Sequence, residues 1–421
     1  MAPSAVLDLS ELSQQPPPAA LAAYHSSMLD VNLLRKEPER IAATLAHRGI
    51  SGVDLQALAA LDEERRTSRS EAEALRAEQK ELGGQVARLE GDDKQAAIAR
   101  GAEISAAYKA KLAEADELDD RFDKAWIPLP NLVHDSVPKG ETEDDNEEIK
   151  RWGEIPEFGF TPKDHLELAA PTGIIDMERA AKISGSRFGL LTGKAVLLEF
   201  ALVRWVMDRL GDEGFTPVVP PVLVREEALF GTGFFPDDDE QVYSIPADDL
   251  YLVGTSEVSL ASMHADEIFP ADALPHRYVG FSTCFRRESG AAGRDTRGIF
   301  RLHQFDKLEM FSFCHPDESW AEHDFLFARE EALVQELGIP YRVVNVCSGD
   351  LGASAAKKYD IEAWFPGQER YREITSCSNT TDYQSRRLKI RVKDEHGNRL
   401  LHTLNGTAVA IQRTLVAIME N

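Results

Sequence analysis

Residues 283–313, with the sequence TCFRRESGAAGRDTRGIFRLHQFDKLEMFSF, decide the fold of this chain. Two segments with aromatic residues flank a centre rich in glycine and arginine, which predicts two strands joined by a loop. The first predicted strand ends at Arg286-Arg287-Glu288. The loop contains Gly290, Gly293, Arg294, Arg297 and Gly298. The stretch therefore predicts a β-hairpin with a long basic turn.

The second strand of this hairpin places charged and aromatic residues on one face. Alternate residues of a strand share a face, and the alternating set is Arg301, His303, Phe305, Lys307 and Glu309. The opposite face carries the apolar residues Leu302, Leu308 and Met310. The charged face suits a nucleotide, because arginines pair with phosphates, an aromatic ring stacks on a base and a carboxylate accepts from an amine. A charged edge strand is the alternative, since edge strands also carry charge.

Four segments of the chain resemble the motifs of the class II aminoacyl-tRNA synthetases, most closely the seryl-tRNA synthetases, and they follow one another in the same order. The hairpin resembles their motif 2. The matching segments around it are TSEVSL from Thr255, REITSCSNTTDYQSRR from Arg372 and HTLNGTAVAIQRTLVAIMEN from His402. The resemblance covers residues 28–421. It implies an α+β fold, with an N-terminal antiparallel helical-hairpin (coiled-coil) arm and a class II catalytic domain built on an antiparallel sheet.

The composition excludes several classes of protein. A length of 421 residues predicts two to three domains. The net charge of −25 argues against a generic nucleic-acid binder, so any RNA contact must come from a local basic stripe. No apolar run approaches about 18 residues, so no membrane helix is predicted. The scattered cysteines predict reduced thiols in a cytosolic protein, and a zinc site is poorly supported.

Residues 1–27 predict a flexible tail. They contain Pro16–Pro18 and neither lysine nor arginine, so neither a secretory signal nor a mitochondrial presequence is expected. The usual beginning of the resembled family is similar to the sequence from Met28. The tail is therefore either an extension or the product of a misassigned start.

The next hundred residues predict helices. Residues 31–48 predict a short helix. Residues 58–89 and 97–125 repeat apolar residues at steps of three and four, as in heptad seams. With a turn near residues 90–93, the seams predict an antiparallel helical hairpin reaching about 50 Å.

One face of the first long helix carries Arg65, Arg69, Arg76 and Lys80. That face is either a solvated coiled-coil surface, a dimer contact or an RNA contact. The resemblance favours RNA, because seryl-tRNA synthetases carry such an arm, and it grips the long variable arm of tRNA(Ser). The predicted domains are therefore a tail (1–27), a tRNA-binding helical arm (28–138), an acidic linker (139–154) and a catalytic domain (155–421).

Within the catalytic domain, a helix over 195–211 is predicted to lead into a strand over 215–224. The strand contains Pro220 and Pro221, which disfavour a central position in a sheet. It is either an ordinary edge strand or, as its resemblance to motif 1 implies, part of a homodimer interface.

The resemblance implies an ATP site. Arg286 is expected at the α-phosphate, Glu288 at the adenine amino group and Phe305 stacked on adenine, while Arg287 need contribute only its backbone. The implied set is Arg286, Arg287, Glu288, Arg301, Leu302, Phe305, Glu373, Ile374, Thr375, Ser376 and Arg413. Arg286 and Arg413 are the implied catalytic residues. Ordinary packing of Phe305 and a surface position for Arg413 are the alternatives.

Glu373 and Ser376 offer a carboxylate and a hydroxyl, which are hard oxygen ligands suited to Mg²⁺ that bridges ATP phosphates. A hydrogen-bonded pair at a strand end is the alternative. The implied serine site consists of Thr255, Ser256, Glu257, Glu309, Asn405 and Thr407. Ser256 departs from the usual alanine. The hydroxyl of Thr407 is expected to read the serine hydroxyl, because alanine would leave buried polar groups unpaired.

The implied reaction has two steps. The carboxylate of L-serine attacks the α-phosphate of ATP to give seryl-adenylate and pyrophosphate, and the seryl group then passes to the 3′ end of tRNA(Ser). A cytoplasmic homodimer without membrane contact is expected. The alternatives are a serine ligase that loads a carrier protein or metabolite, a non-catalytic RNA-binding homologue, and a specialised second copy.

Overall fold

The computed structural model describes residues 29–236, 239–289, 295 and 297–421. The chain divides into two compact units. The first contains the described residues up to Ala46 together with Ile50–Leu129, and the second contains His47–Gly49 and Pro130–Asn421. The predicted tail and part of the predicted basic loop, including Gly290, Gly293 and Arg294, lie outside the described residues.

The first unit is built from helices. They are α1 (Val31–Lys36), α2 (Pro38–His47), α3 (Leu55–Val86) and α4 (Gly91–Trp126). The single helix predicted over 31–48 is wrong, since two helices meet at Glu37 and Pro38. Proline lacks an N–H and disfavours helical backbone in the residue before it, and Glu37 has φ −141° and ψ 48°.

Helices α3 and α4 confirm the predicted antiparallel helical hairpin. Asp54 caps α3 by accepting from the backbone N–H groups of Gln56 and Ala57. The contact between the helices buries the apolar seam residues Leu58, Ala72, Ile104, Ala115, Leu118 and Phe122. The heptad pattern therefore locates the seam correctly.

A charged cluster interrupts this seam near the start of the hairpin. The side chain of Asp62 is 1% exposed. It accepts from Arg35 Nε at 2.6 Å and from Arg65 Nε at 2.9 Å. Asp119 on α4 pairs with both Arg65 and Arg69. Two of the four cations of the predicted RNA face are thus held by carboxylates within the hairpin.

An eight-stranded sheet organises the second unit. Its strands are β1 (Glu147–Trp152), β2 (Thr216–Val218), β7 (His276–Phe285), β8 (Gln304–Cys314), β9 (Tyr341–Asn345), β10 (Lys357–Phe365), β11 (Arg370–Thr381) and β14 (His402–Ala410). The order is β1-β9-β10-β11-β14-β8-β7-β2. Every pairing is antiparallel except the parallel contact of β2 with β7.

Two three-stranded sheets complete the β structure. One contains β3 (Leu223–Val224), β4 (Tyr243–Ile245) and β5 (Leu250–Leu252), and the other β6 (Ile268–Pro270), β12 (Arg391–Asp394) and β13 (Gly397–Leu400). The helices of the unit are α5 (His165–Ala169), α6 (Met177–Ser184), α7 (Lys194–Gly211), α8 (Glu226–Thr232), α9 (Glu257–Ser262), α10 (Ser319–Glu336), α11 (Tyr383–Leu388) and α12 (Ile411–Glu420).

The strand predictions hold in part. Strands β7 and β8 form the predicted hairpin, but β7 ends at Phe285 and β8 begins only at Gln304. The strand predicted over 215–224 is split into β2 and β3 by its prolines, and β2 lies at a sheet edge. Part of the predicted acidic linker forms β1, an edge strand that pairs with β9. Its charged residues are compatible with a strand, because edge strands commonly carry charged side chains.

The main core lies between one face of the sheet and the helices that cover it. Leu326 and Leu333 of α10 join Met310, Cys377 and Leu404 of the strands in one buried cluster. The opposite face of β8, β11 and β14 is open and carries the polar residues described below. All four cysteines are buried and unpaired. No helix within the described part of the chain combines the length and apolarity needed to cross a bilayer.

Candidate active site

A cavity of about 460 Å³ lies on the open face of the eight-stranded sheet. Its walls come from segments far apart in the chain: α8 and α9, the end of β7, strands β8, β10, β11 and β14, and the start of α12. The antiparallel register brings these segments together, since Thr407 lies opposite Glu309 and Ser378 opposite Asn405.

Most of the predicted site residues line this cavity. They are Thr255, Glu257, Arg286, Glu288, Arg301, Leu302, Phe305, Glu309, Glu373, Ile374, Ser376, Asn405, Thr407 and Arg413. Three do not. Ser256 is fully buried, the guanidinium of Arg287 lies over Tyr243, and the hydroxyl of Thr375 donates to Glu330 on the opposite face of the sheet.

One end of the cavity presents guanidinium groups beside aromatic rings. Arg286 Nε donates to the carbonyl of Gly254 at 3.1 Å, which fixes the side chain. Its guanidinium carbon lies 5.3 Å from the ring centre of Phe305. Arg301 donates to Glu288 at 2.6 Å. A planar, permanently charged donor next to an aromatic face is suited to a phosphate attached to an aromatic base.

The carboxylate of Glu373 stands between cations. Arg413 Nη1 donates to the backbone carbonyl of Glu373 at 2.9 Å and lies 3.4 Å from its Oε1. The side chain of Glu373 is 49% exposed, and its partial burial raises its pKa less than the charges of Arg413, Lys358 and Arg286 lower it, so the pKa is lowered. Glu373 is therefore an ionised carboxylate at neutral pH. The described residues contain no cluster of three His, Cys, Asp or Glu side chains that could hold a metal ion by themselves.

The other part of the site is a buried set of acids and amides. Glu257 Oε1 accepts from Gln384 Nε2 at 2.7 Å and from Asn405 Nδ2 at 2.8 Å. Glu309 is ion-paired with Lys307. Burial, and secondly the charge of Glu309, raise the pKa of Glu257 from 4.5 to about 7. Two close carboxylates, with Lys307 and two amide groups as donors, are suited to a small ligand that carries a cation and a hydroxyl.

The raised pKa makes Glu257 a cost to stability at alkaline pH. The folded protein keeps this proton up to about pH 7, whereas the unfolded chain releases it near 4.5. Stability is therefore lost as pH rises between these values. Glu257→Gln keeps an acceptor for Gln384 and is expected to raise the free energy of unfolding at pH 8 by up to about 3 kcal/mol.

Urea denaturation at pH 8 and pH 5 measures this effect, and the gain should shrink at pH 5. Glu395→Gln serves as a control, because that side chain is 87% exposed and its neutralisation should change little. An equal gain for Glu257→Gln at both pH values, or a loss at pH 8, would contradict the assignment.

Two cavity lysines were absent from the predicted site. The strand period places Lys307 on the charged face with Phe305 and Glu309, but the family resemblance assigns it no role. Lys358 lies on β10 opposite Ser378 and faces Asp360, with 3.4 Å between Nζ and Oδ2. The sequence around it shows no signal, because only the pairing of β10 with β11 brings it to the cavity.

Comparison with known proteins agrees with this geometry. The description "Seryl-tRNA synthetase N-terminal domain" matches residues 28–133, and "tRNA synthetase class II core domain (G, H, P, S and T)" matches residues 242–421. A serine–tRNA ligase of Acidothermus cellulolyticus is 52% identical over 394 residues, covering 94% of each chain. A serine–tRNA ligase of Thermobifida fusca is 49% identical, covering 94% of this chain and 93% of that protein.

A solved structure matches in three dimensions as well. The seryl-tRNA synthetase of Pyrococcus horikoshii, crystallised with ATP, superimposes with a TM-score of 0.85 at 43% identity, covering 93% of this chain and 94% of the other. Family descriptions match parts of both units, and the two relatives each cover 94% of the chain. The chain belongs to the seryl-tRNA synthetase family.

Proposed function

We propose that this chain activates L-serine with ATP and transfers the seryl group to tRNA(Ser). The observation that carries the proposal is the single cavity in which Arg286 and Phe305 adjoin the buried set of Glu257, Glu309, Asn405 and Thr407. One half suits a nucleotide phosphate and base, and the other a small amino acid. A serine ligase for carrier proteins is not favoured, because the first unit matches a synthetase arm.

Serine-dependent exchange of pyrophosphate into ATP tests the first step, and charging of tRNA(Ser) tests the second. Both reactions should require serine and not be supported by the other amino acids. Exchange driven equally by all amino acids would overturn the proposal.

ATP is placed by the arginines and Phe305. Arg286 faces the α-phosphate, where charge builds up as the serine carboxylate attacks and pyrophosphate leaves. Phe305 stacks on adenine. Glu288 accepts from the adenine amino group and exchanges its present partner, Arg301, for the nucleotide. Arg301 and Arg413 are then free to hold the phosphate tail. Arg287, Ile374 and Thr375 contribute through the backbone.

Mg²⁺ is the ion we propose beside these phosphates. Glu373 and Ser376 on β11 present carboxylate and hydroxyl oxygens to the cavity, and Glu373 is held ionised by its cationic neighbours. Such oxygens are the ligands that Mg²⁺ prefers, usually shared with substrate phosphates and water. The ion, when bound, neutralises phosphate charge.

Serine is placed by the buried acids and by β14. Glu257 and Glu309 offer carboxylates to the ammonium group, and Thr255 lies beside Glu257. Asn405 and Thr407 stand on the same face of β14, with Thr407 opposite Glu309 in the sheet. The hydroxyl of Thr407 is suited to pair with the hydroxyl of serine. Ser256 is buried beneath and supports Thr255 and Glu257 through the backbone.

Substrate discrimination provides a test of this placement. Thr407→Ala and Glu309→Ala each remove a partner that alanine would leave unsatisfied, so the preference for serine over alanine should fall by at least about tenfold. The measurement is kcat/KM for pyrophosphate exchange with each amino acid. Thr414→Ala, which changes a buried threonine of α12 outside the cavity, should leave the ratio unchanged. Unchanged ratios in both site variants would show that the hydroxyl is read elsewhere.

A homodimer is proposed from exposed apolar side chains on α7 and beside β2. Leu197, Phe200 and Val219 are 70%, 60% and 75% exposed. Helix α7 and strand β2 contact each other. Exposed apolar side chains on adjacent elements are typical of an interaction site, and these segments resemble motif 1. A protein whose substrate is tRNA is expected in the cytoplasm.

Charged residues on that surface should separate the subunits. Leu197→Asp with Phe200→Asp is expected to halve the mass measured by analytical ultracentrifugation, because the apolar contact is replaced by repulsion between copies. Ile98→Asp, on the separate helical unit, should leave the mass of the dimer unchanged. A monomeric parent protein, or an unchanged mass for the double variant, would contradict the proposed interface.

A further inference from the structure

Glu330 is a buried acid on the face of the sheet opposite the cavity. It lies on α10 and is 0% exposed. Its Oε2 accepts from the hydroxyl of Thr375 on β11 at 2.8 Å. Among the described residues, none is hydrogen-bonded to its Oε1. Burial raises the pKa of Glu330 well above its usual value, and the bond from Thr375 does not offset this. Burial therefore favours the neutral form of this acid.

The free oxygen of Glu330 lies directly beneath Gly406 of β14. A Cβ atom at position 406 would lie 2.8 Å from Glu330 Oε1 and 3.2 Å from the terminal carbon of Met310. Glycine lets the strand approach the acid this closely, since any side chain would collide with it. Gly406 pairs with Met310 on β8 and with Cys377 on β11, so the acid sits under the middle of three strands.

The same three strands carry residues of the proposed active site on their other face. Asn405 and Thr407 flank Gly406, Glu309 precedes Met310, and Ser376 precedes Cys377. The height of Gly406 above α10 therefore sets how far Asn405 and Thr407 project into the cavity. If β14 moved toward α10, the pocket would become deeper. If β14 moved away from α10, its side chains would fill the pocket.

We propose that Glu330 is a positioning residue for serine selection, which supports β14 beneath Gly406 and so fixes the depth of the amino-acid pocket. The inference rests on the proposed function of the same cavity.

A carboxyl group is an energetically unfavourable choice for the position of Glu330 beneath Gly406. A buried polar group without a partner is destabilising, and an apolar side chain of similar size would avoid that cost. The carboxyl nevertheless does two things that an alkyl group cannot. It holds β11 through Thr375, and it places a compact oxygen under a glycine. A buried carboxyl oxygen without a hydrogen-bond partner is an exception of the kind expected near functional sites.

Removal of the support tests the proposal. In Glu330→Ala, β14 can sink into the space left, so the KM for serine should rise and the serine-to-threonine ratio of kcat/KM should fall by at least about tenfold. The KM for ATP should stay within about twofold. Glu330→Gln keeps the shape of the side chain and a hydrogen bond with Thr375, so it should retain near-parental selectivity. Leu333→Ala, on the same helix, should lower the melting temperature without changing selectivity.

A double-mutant cycle isolates the contact itself. Gly406→Ala alone places a methyl group against the acid and should raise the KM for serine strongly. Combined with Glu330→Ala, the methyl fills the vacated space, so the double variant should have a lower KM than either single variant. If Glu330→Ala does not fold, Glu330→Asp replaces it, since it withdraws the carboxyl by one methylene and should shift selectivity in the same direction.

A folded Glu330→Ala or Glu330→Asp protein with parental serine KM and selectivity would overturn the inference, as would additive effects in the cycle. These results are distinct from a failure of the proposed function, in which the parent chain itself would show no serine-dependent pyrophosphate exchange.

Discussion

Arg286→Ala is expected to slow serine-dependent pyrophosphate exchange by about 10²–10³-fold. A preorganised charge at the reacting phosphate stabilises the transition state by several kcal/mol. The side chain is already oriented before ATP binds, because its Nε donates to Gly254 and its guanidinium lies near Phe305. Little reorganisation is then needed at the moment of reaction.

The neighbouring arginine provides a matched control. Arg287 has the same charge and the adjacent position, but its guanidinium lies 5.7 Å from the ring centre of Tyr243, and it does not line the cavity. Arg287→Ala should therefore stay within a few-fold of the parent rate. Arg286→Lys keeps a charge without the planar fork and should fall between the two. An equal loss in the two alanine variants would mean that only net charge matters, and an undiminished rate in Arg286→Ala would remove it from the site.

The strand period made much of the site predictable. Phe305, Lys307 and Glu309 share a face because alternate residues of a strand must, and Leu308 and Met310 fall into the core for the same reason. The helical hairpin was predictable because heptad spacing is local in the sequence. Such patterns depend on neighbours a few residues apart.

What the sequence did not reveal depends on contacts between distant segments. Both Thr375 and Ser376 are small and hydroxylated, so β11 gives no sign of which one faces the cavity. The structure turns Thr375 toward Glu330 because α10 covers that side of the sheet. Arg286 and Arg287 pose the same problem at the end of β7. Strand pairing decides which of the two side chains faces the cavity, and strand pairing depends on residues that are far apart in the sequence.

The arm shows the same limit for charged residues. Helical spacing places Arg65, Arg69, Arg76 and Lys80 near one face, but it cannot show that Asp119, about fifty positions later, reaches Arg65 and Arg69. Arg65 is also held by the buried Asp62. We therefore propose that the first two arginines stabilise the hairpin and that Arg76 and Lys80 are the residues available for tRNA phosphates.

Salt dependence separates these two roles. Arg76→Gln with Lys80→Gln should make the plot of log affinity for tRNA(Ser) against log salt shallower by about one per lost contact, with little change in stability. Arg65→Gln should instead leave the slope unchanged and lower the melting temperature, because it leaves buried carboxylates short of a partner. An unchanged slope in the first variant would remove that pair from the RNA interface.

Shortening the hairpin should have the largest effect on tRNA charging. Glu71 and Lys111 form an ion pair across the two helices at 2.9 Å, so a short glycine-containing turn can replace residues 72–110 at that level. The change leaves the charged cluster around Asp62 in place and removes Arg76 and Lys80. Charging of tRNA(Ser) should fall by at least about 10²-fold, because several phosphate contacts are lost together. Serine-dependent pyrophosphate exchange should stay near the parent rate, since every proposed ATP and serine residue lies in the second unit.

The ratio of the two activities is the quantity to measure, on protein whose helix content fits the shorter arm by circular dichroism. A loss of exchange together with charging would indicate that the arm supports the fold of the catalytic unit and not tRNA binding. Full charging by the shortened protein would exclude the distal arm from RNA contact. Charging that recovers at high tRNA concentration, with an unchanged kcat, would assign the arm to tRNA affinity, because the chemistry at Arg286 and Glu309 does not depend on how tightly a distant segment holds the substrate.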